Sequence, residues 1–75
     1  MTLEKNAGWR FWVREGDRVR FFTVADVNFS AAEDMALTET NYGVAISHQQ
    51  IGEEVMELLK LPYGKVMELT PASGG

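Results

Sequence analysis

The order of local signals along this chain predicts an α+β domain. The expected unit is a small ββαβαβ domain, in which an N-terminal β-hairpin and two further short strands form one sheet with two helices packed on one face. Three observations carry that expectation. Residues 9–14 and 18–24 alternate on either side of the turn signal "EGD" and favour β structure. Two stretches, Ser30 to Glu33 and Ser47 to Gln50, have the form of capping boxes that open helices. No internal repeat and no long linker interrupts them, so residues 1–69 read as a single domain and 70–75, "TPASGG", as a flexible tail.

The hairpin segment "WRFWVREGDRVRFF", Trp9 to Phe22, holds all four arginines of the chain and five of its eight aromatic residues. Register decides what those arginines do, because a slip of one residue exchanges the faces of a strand. A two-residue loop at Gly16-Asp17 sets Arg14 beside Val19 and Val13 beside Arg20, mixing charge into both faces. A three-residue loop of Glu15, Gly16 and Asp17 pairs Arg14 with Arg18, Val13 with Val19, Trp12 with Arg20 and Phe11 with Phe21. The second register sorts the side chains and is the one expected. It gives an apolar core face of Trp9, Phe11, Val13, Val19, Phe21 and Thr23. The solvent face then carries Arg10, Trp12, Arg14, Arg18, Arg20 and Phe22, with cation–π contacts expected for Trp12 with Arg20 and Arg10 with Phe22.

After the hairpin, Ser30 and Glu33 start a helix over residues 31–41, with Met35 and Leu37 behind them and "NYG" as the stop. "VAI" at 44–46 reads as a short buried inner strand. The second capping box, flanked by Ile46 and Ile51 in the positions of a hydrophobic staple, predicts a helix from 47 to about Lys60. Ile51, Val55, Leu58 and Leu59 follow a helical stripe and are expected to be buried, while Glu53, Glu54 and Glu57 lie off it. "LPYG" ends that helix, and "KVMEL" at 65–69 is the last strand.

Composition narrows the function classes. Aliphatic and aromatic residues make up 45% of the 75 residues against 24% charged, a globular balance. The absence of cysteine removes disulfides and thiolate metal sites and suits a reducing compartment, so a cytoplasmic location is expected. The expectation is a soluble protein with no membrane association, because no apolar run reaches the length of a membrane span and "MTLEKNAGW" has no signal-like stretch. The net charge of −4 hides an asymmetry: residues 1–24 carry five basic and three acidic groups, residues 25–75 two basic and eight acidic. A basic patch on an acidic protein can steer one surface toward an anionic partner.

Catalysis is not expected. The sole histidine, His48, falls in the first turn of the expected second helix, where the helix dipole disfavours a protonated ring. His48 with Glu53 or Glu54 lacks the second histidine that would make a metal site. The pairs Glu33-Asp34 and Glu53-Glu54 are expected on solvated faces, and no glycine-rich phosphate loop is present. No cofactor is therefore expected. Arg10, Trp12, Arg14, Arg18, Arg20 and Phe22 instead suggest a contact surface: arginines to neutralise phosphates or carboxylates, aromatic rings to stack or anchor. The expected protein is a small non-enzymatic interaction module, monomeric or weakly homodimeric. Its expected partner is a protein, with single-stranded nucleic acid as the other candidate. The same pattern also suits a hairpin whose charged face serves only solubility.

Two resemblances add to this reading. "GKVMELTPASGG" resembles the end of the ubiquitin-like sulfur carriers of molybdopterin and thiamine synthesis, where a last strand runs into a tail ending in Gly-Gly. That resemblance covers about the last dozen residues. It implies that Gly75 is adenylated and converted to a thiocarboxylate, and that Gly74 lets the tail thread an activating enzyme. "IGEEVMELLKLPYGKVMEL" is similar to the helix, glycine turn and strand of swapped-hairpin transcription factors of the AbrB type, but the strand that should follow Leu69 is missing. The second likeness is not adopted as a reading.

Overall fold

The hairpin turn sets the geometry of the sheet. In the computed structural model, which describes residues 6–69, Gly16 has a φ of +65° while Asp17 stays out of the left-handed region. Positive φ at the first central residue of a two-residue loop is the signature of a type II′ turn, whose twist matches that of paired strands. Strand β1 (Asn6–Glu15) and strand β2 (Arg18–Val24) therefore close with Glu15 opposite Arg18. From there Arg14 faces Val19, Val13 faces Arg20, Trp12 faces Phe21, Phe11 faces Phe22, Arg10 faces Thr23 and Trp9 faces Val24. The expected three-residue loop is corrected by one position. The order of elements is β1, β2, α1, β3, α2, β4.

The four strands form one antiparallel sheet in the order β3-β1-β2-β4. Strand β3 (Val44–Gly52) pairs with β1 and forms one edge, with register shifts between Asn6 and Gly8 and between Trp12 and Val13. Strand β4 (Val66–Leu69) pairs with β2 and forms the other edge. The expectation of a short buried strand at 44–46 is corrected: β3 is nine residues long, and Val44, Ile46 and residues 47–50 are exposed. The expected helix start at Ser47 and Gln50 is overridden because that segment pairs with Trp12, Phe11, Arg10 and Trp9. A capping box is a local preference of about 1 kcal/mol, and a row of sheet pairings outweighs it.

Helix α1 (Phe29–Thr38) starts two residues before the expected position because Asn28, not Ser30, caps it. The Asn28 side chain accepts a hydrogen bond from the Ala31 N–H at 3.0 Å, and Asp26 holds Asn28 by accepting its N–H at 2.9 Å. The helix ends at Thr38, where the Thr40 hydroxyl donates to the Leu37 carbonyl and accepts the Gly43 N–H. Ala32 and Ala36, one turn apart, bring α1 close to the sheet over Phe11, Val13, Phe22 and Val24, all fully buried. Burial of each large side chain in that layer contributes about 1.5–3 kcal/mol.

Helix α2 (Glu53–Leu59) packs elsewhere. Its Met56 joins Ala25 and Ile51 in a second cluster, with Ala7, Val55 and Leu61 against it. Alternation along β1 puts Gly8 on the face away from Phe11 and Val13, and a side chain at Gly8 would run into Met56 and the Val24 carbonyl. The two helices thus form separate layers, and the expected packing of both on one face is not found. Leu58, expected to be buried, is 82% exposed because α2 has only two turns and turns Met56 inward. The helix ends as Lys60 adopts a left-handed φ of +55°, with Leu61 N–H donating to the Met56 carbonyl at 3.3 Å.

Candidate functional site

Strand β1 carries Gly8, Arg10, Trp12 and Arg14 on the face opposite its buried Phe11 and Val13. Pairing then decides their neighbours. Phe21 stands opposite Trp12, with ring centroids 6.2 Å apart and planes at 84°, an edge-to-face contact. Thr23 stands opposite Arg10, whose Nε donates to the Thr23 hydroxyl at 3.5 Å, and Val19 stands opposite Arg14. From β3, Gln49 is opposite Arg10, Ser47 opposite Trp12 and Val44 opposite Arg14. Arg14 donates from Nε to the Gly16 carbonyl at 3.3 Å, a contact that leaves its terminal nitrogens toward solvent.

Three of the six residues expected on one face belong to the other. Phe22 is fully buried under α1, so its expected exposure and its pairing with Arg10 are corrected. Arg18 and Arg20 share the face of Phe22, and Arg20 does not meet Trp12. The guanidinium of Arg20 lies instead over the Phe22 ring, 5.1 Å from its centroid, one pleat along the same strand. The one-residue change of register accounts for all three corrections.

Arg20 is occupied within the molecule. Its Nε and Nη2 donate to the two carboxylate oxygens of Glu68 at 2.8 and 2.7 Å, and its Nη1 donates to Glu15 at 3.2 Å and to the Glu39 carbonyl at the end of α1 at 3.3 Å. These bonds raise the Arg20 pKa further above its already high value, Glu68 being the main cause. The same bonds hold the Glu68 carboxyl below the usual value of 4.5. Glu15 is lowered as well, chiefly by the Asn41 N–H that donates to it at 2.7 Å and then by Arg20. Arg18, exposed and opposite Glu15, adds a positive charge to the same group.

His48 lies on β3 rather than in a helix, opposite Phe11. Its ring packs edge-on to Phe29 at 4.7 Å and to Trp9 at 5.7 Å, and Trp9 Nε1–H donates to the Val27 carbonyl at 3.0 Å. This histidine is a packing residue on the α1 side of the sheet. Among the described residues, no group of three His, Asp or Glu side chains could hold a metal ion. Glu53, Glu54 and Asp34 are exposed, and Glu33 is half-buried. No helix of the described residues is long and apolar enough to cross a membrane.

Sequence reasoning missed Phe21 and Val19 on the Trp12 face, for which the two-residue turn Gly16-Asp17 was the available signal. It also missed Tyr42, which is 99% exposed and holds a left-handed φ of +62°. Gly74 and Gly75, the residues singled out by the carrier resemblance, lie outside the described residues. Comparison with protein-family models, curated proteins and solved structures finds no match to this chain in any of the three.

Proposed function

We propose that this protein is a small cytoplasmic interaction module without enzymatic activity of its own, and that it meets an acidic protein partner through the Trp12 face of its sheet. Arg10 and Arg14 supply the charge, and Trp12 with Phe21 supplies the anchoring area. Arg18, Arg20 and Phe22 leave the contact surface, because the first two flank the opposite face and the third is buried.

The observation that carries this reading is a segregation of charge. The paired positions around Trp12, namely Phe21, Val19, Thr23, Gln49, Ser47 and Val44, include no acidic residue. Glu15 and Glu68, the carboxylates drawn to an arginine, both sit with Arg20 on the other face. Among the described residues no carboxylate forms an ion pair with Arg10 or Arg14. The acidic helix α2 covers the Gly8 end of this face rather than the Trp12 positions, so a chain of net charge −4 keeps arginine charge beside an aromatic ring. Arginine and tryptophan are the residue types that most often anchor protein interfaces.

An NMR titration tests the reading. The probes are a glutamate-rich peptide and, separately, mixed-sequence single-stranded RNA and DNA, each at two salt concentrations. The acidic peptide should move the Trp12 indole signal and the Arg10 and Arg14 side-chain signals, less so at higher salt, while the Trp9 indole, tied to the Val27 carbonyl, stays in place. If the oligonucleotides alone move Trp12, the partner is nucleic acid. If no probe moves it, the face is solvated structure only.

A further inference from the structure

We propose that the β3 edge pairs with the β3 edge of a second copy of this chain, antiparallel across a two-fold axis at Gln49, joining two sheets into one of eight strands. The inference is independent of the Trp12-face reading. It rests on how differently the two edges of the sheet are built. Strand β4 is four residues long and carries Glu68. Strand β3 is nine residues long, "VAISHQQIG", and contains no Lys, Arg, Asp, Glu or Pro. Exposed edges are ordinarily protected by brevity, charge, proline or a bulge, and β3 has only the bulge at Ile46, outside the regular segment of residues 47–51. Its backbone hydrogen-bonding groups on the side away from β1 face no strand of the described sheet.

The occupant follows from self-complementarity. An antiparallel pairing of one segment with itself has a two-fold axis, so any charge near that axis meets its own copy. The absence of charge in β3 removes that repulsion. The axis position follows from the register shifts: the longest uninterrupted pairing of β3 with β1 runs from Ser47 to Ile51, whose centre is Gln49. Gln49 then faces Gln49 of the second copy, His48 faces its Gln50, Ser47 faces its Ile51, and the bulged Ile46 faces its Gly52. Glutamine side chains can hydrogen-bond each other across the axis, each amide being both donor and acceptor.

The cysteine-free chain allows a direct test. Sedimentation of the wild-type protein across a concentration series reads the oligomeric state, and single substitutions Gln49→Cys, Ser47→Cys and Tyr42→Cys are oxidised at about 10 µM protein. Residues directly opposed in an antiparallel pair lie within disulfide reach. Opposed thiols within a dimer meet at an effective concentration of about 1 mM, so Gln49→Cys should cross-link roughly 100-fold faster than the exposed Tyr42→Cys control. It should also outpace Ser47→Cys, which faces Ile51 in this register. Because both copies carry net negative charge, added salt should strengthen the dimer, the opposite of its effect on an anionic ligand at the Trp12 face. A wild-type protein monomeric throughout the series overturns the proposal, whether β3 stays bare or pairs with a strand of another protein. So does a Gln49→Cys rate that does not exceed both others.

Discussion

Arg20 and Glu68, 48 residues apart in the chain, form a two-point ion pair in which Nε donates to Oε2 at 2.8 Å and Nη2 to Oε1 at 2.7 Å. The pair ties β2 to the short edge strand β4. It also explains how a register that sends an arginine toward the α1 side can be stable: Arg20 lies beyond the apolar layer, where Glu68, Glu15 and the Glu39 carbonyl receive it. A double-mutant cycle on Arg20→Met and Glu68→Gln should give a favourable coupling of about 0.5–1 kcal/mol that shrinks with salt. Independent effects of the two substitutions would mean that the pair does not hold β4.

The carboxylates of this network carry an acid dependence. Glu15 and Glu68 both have pKa values lowered on folding from the usual 4.5. Their contribution is fully present above that unfolded value and is lost as pH falls through the lower folded values. The melting temperature of the wild type should therefore exceed that of Arg20→Met by a constant margin near neutrality, and the margin should narrow below about pH 4.5. Thermal melts of both proteins from pH 7 to pH 3 check this. A margin unchanged at low pH would remove the network as its source.

Two glycines should differ in why they resist substitution. Gly8→Ala places a methyl group against the Val24 carbonyl and the Met56 side chain, so it should cost about 1–3 kcal/mol and loosen α2. Gly16→Ala meets no atom, yet φ is +65° there, so it should cost about 1 kcal/mol through the backbone alone. Urea unfolding with a tryptophan and a far-ultraviolet readout distinguishes them, since only the first should alter the α2 region.

Lys60 ends α2 in a left-handed conformation at φ +55°. Lys60→Gly relieves that geometry and should stabilise the domain by up to about 1 kcal/mol, read as a higher urea midpoint. A lower midpoint would show that the lysine side chain contributes more than its backbone costs.

On the proposed contact face, Arg10→Glu with Arg14→Glu should abolish binding of an acidic partner while leaving the circular dichroism spectrum unchanged. Arg18→Glu, on the opposite face, should leave binding near the wild-type level. Equal losses from both variants would mean that total charge, not this face, drives the association.

The location of the hairpin was legible, because period-2 alternation on both sides of Gly16-Asp17 is a strong local pattern. Its register was not. Sorting charge from apolar residues favoured a longer loop, and the objection to Arg20 near the core disappears only when Glu68 and the end of α1 are in view. The candidate site was legible to the same depth: Arg10, Trp12 and Arg14 stay together because they lie on one strand, whereas every partner from β2 changed face.

The second half of the chain shows the same division. Gly at the turn, the alternation of β1 and the stop at "LPYG" act within a few residues, so the sequence by itself determined where a hairpin forms and where α2 must end. Whether Ser47–Gln50 becomes a helix start or a strand depends on β1, more than thirty residues earlier, and β1 offered it an edge. Tertiary structure likewise decided that α2 packs through Met56 onto Gly8 rather than beside α1, because only a residue without a side chain lets that helix approach. Local preferences of about 1 kcal/mol set the candidates, and pairing and burial across the chain chose among them.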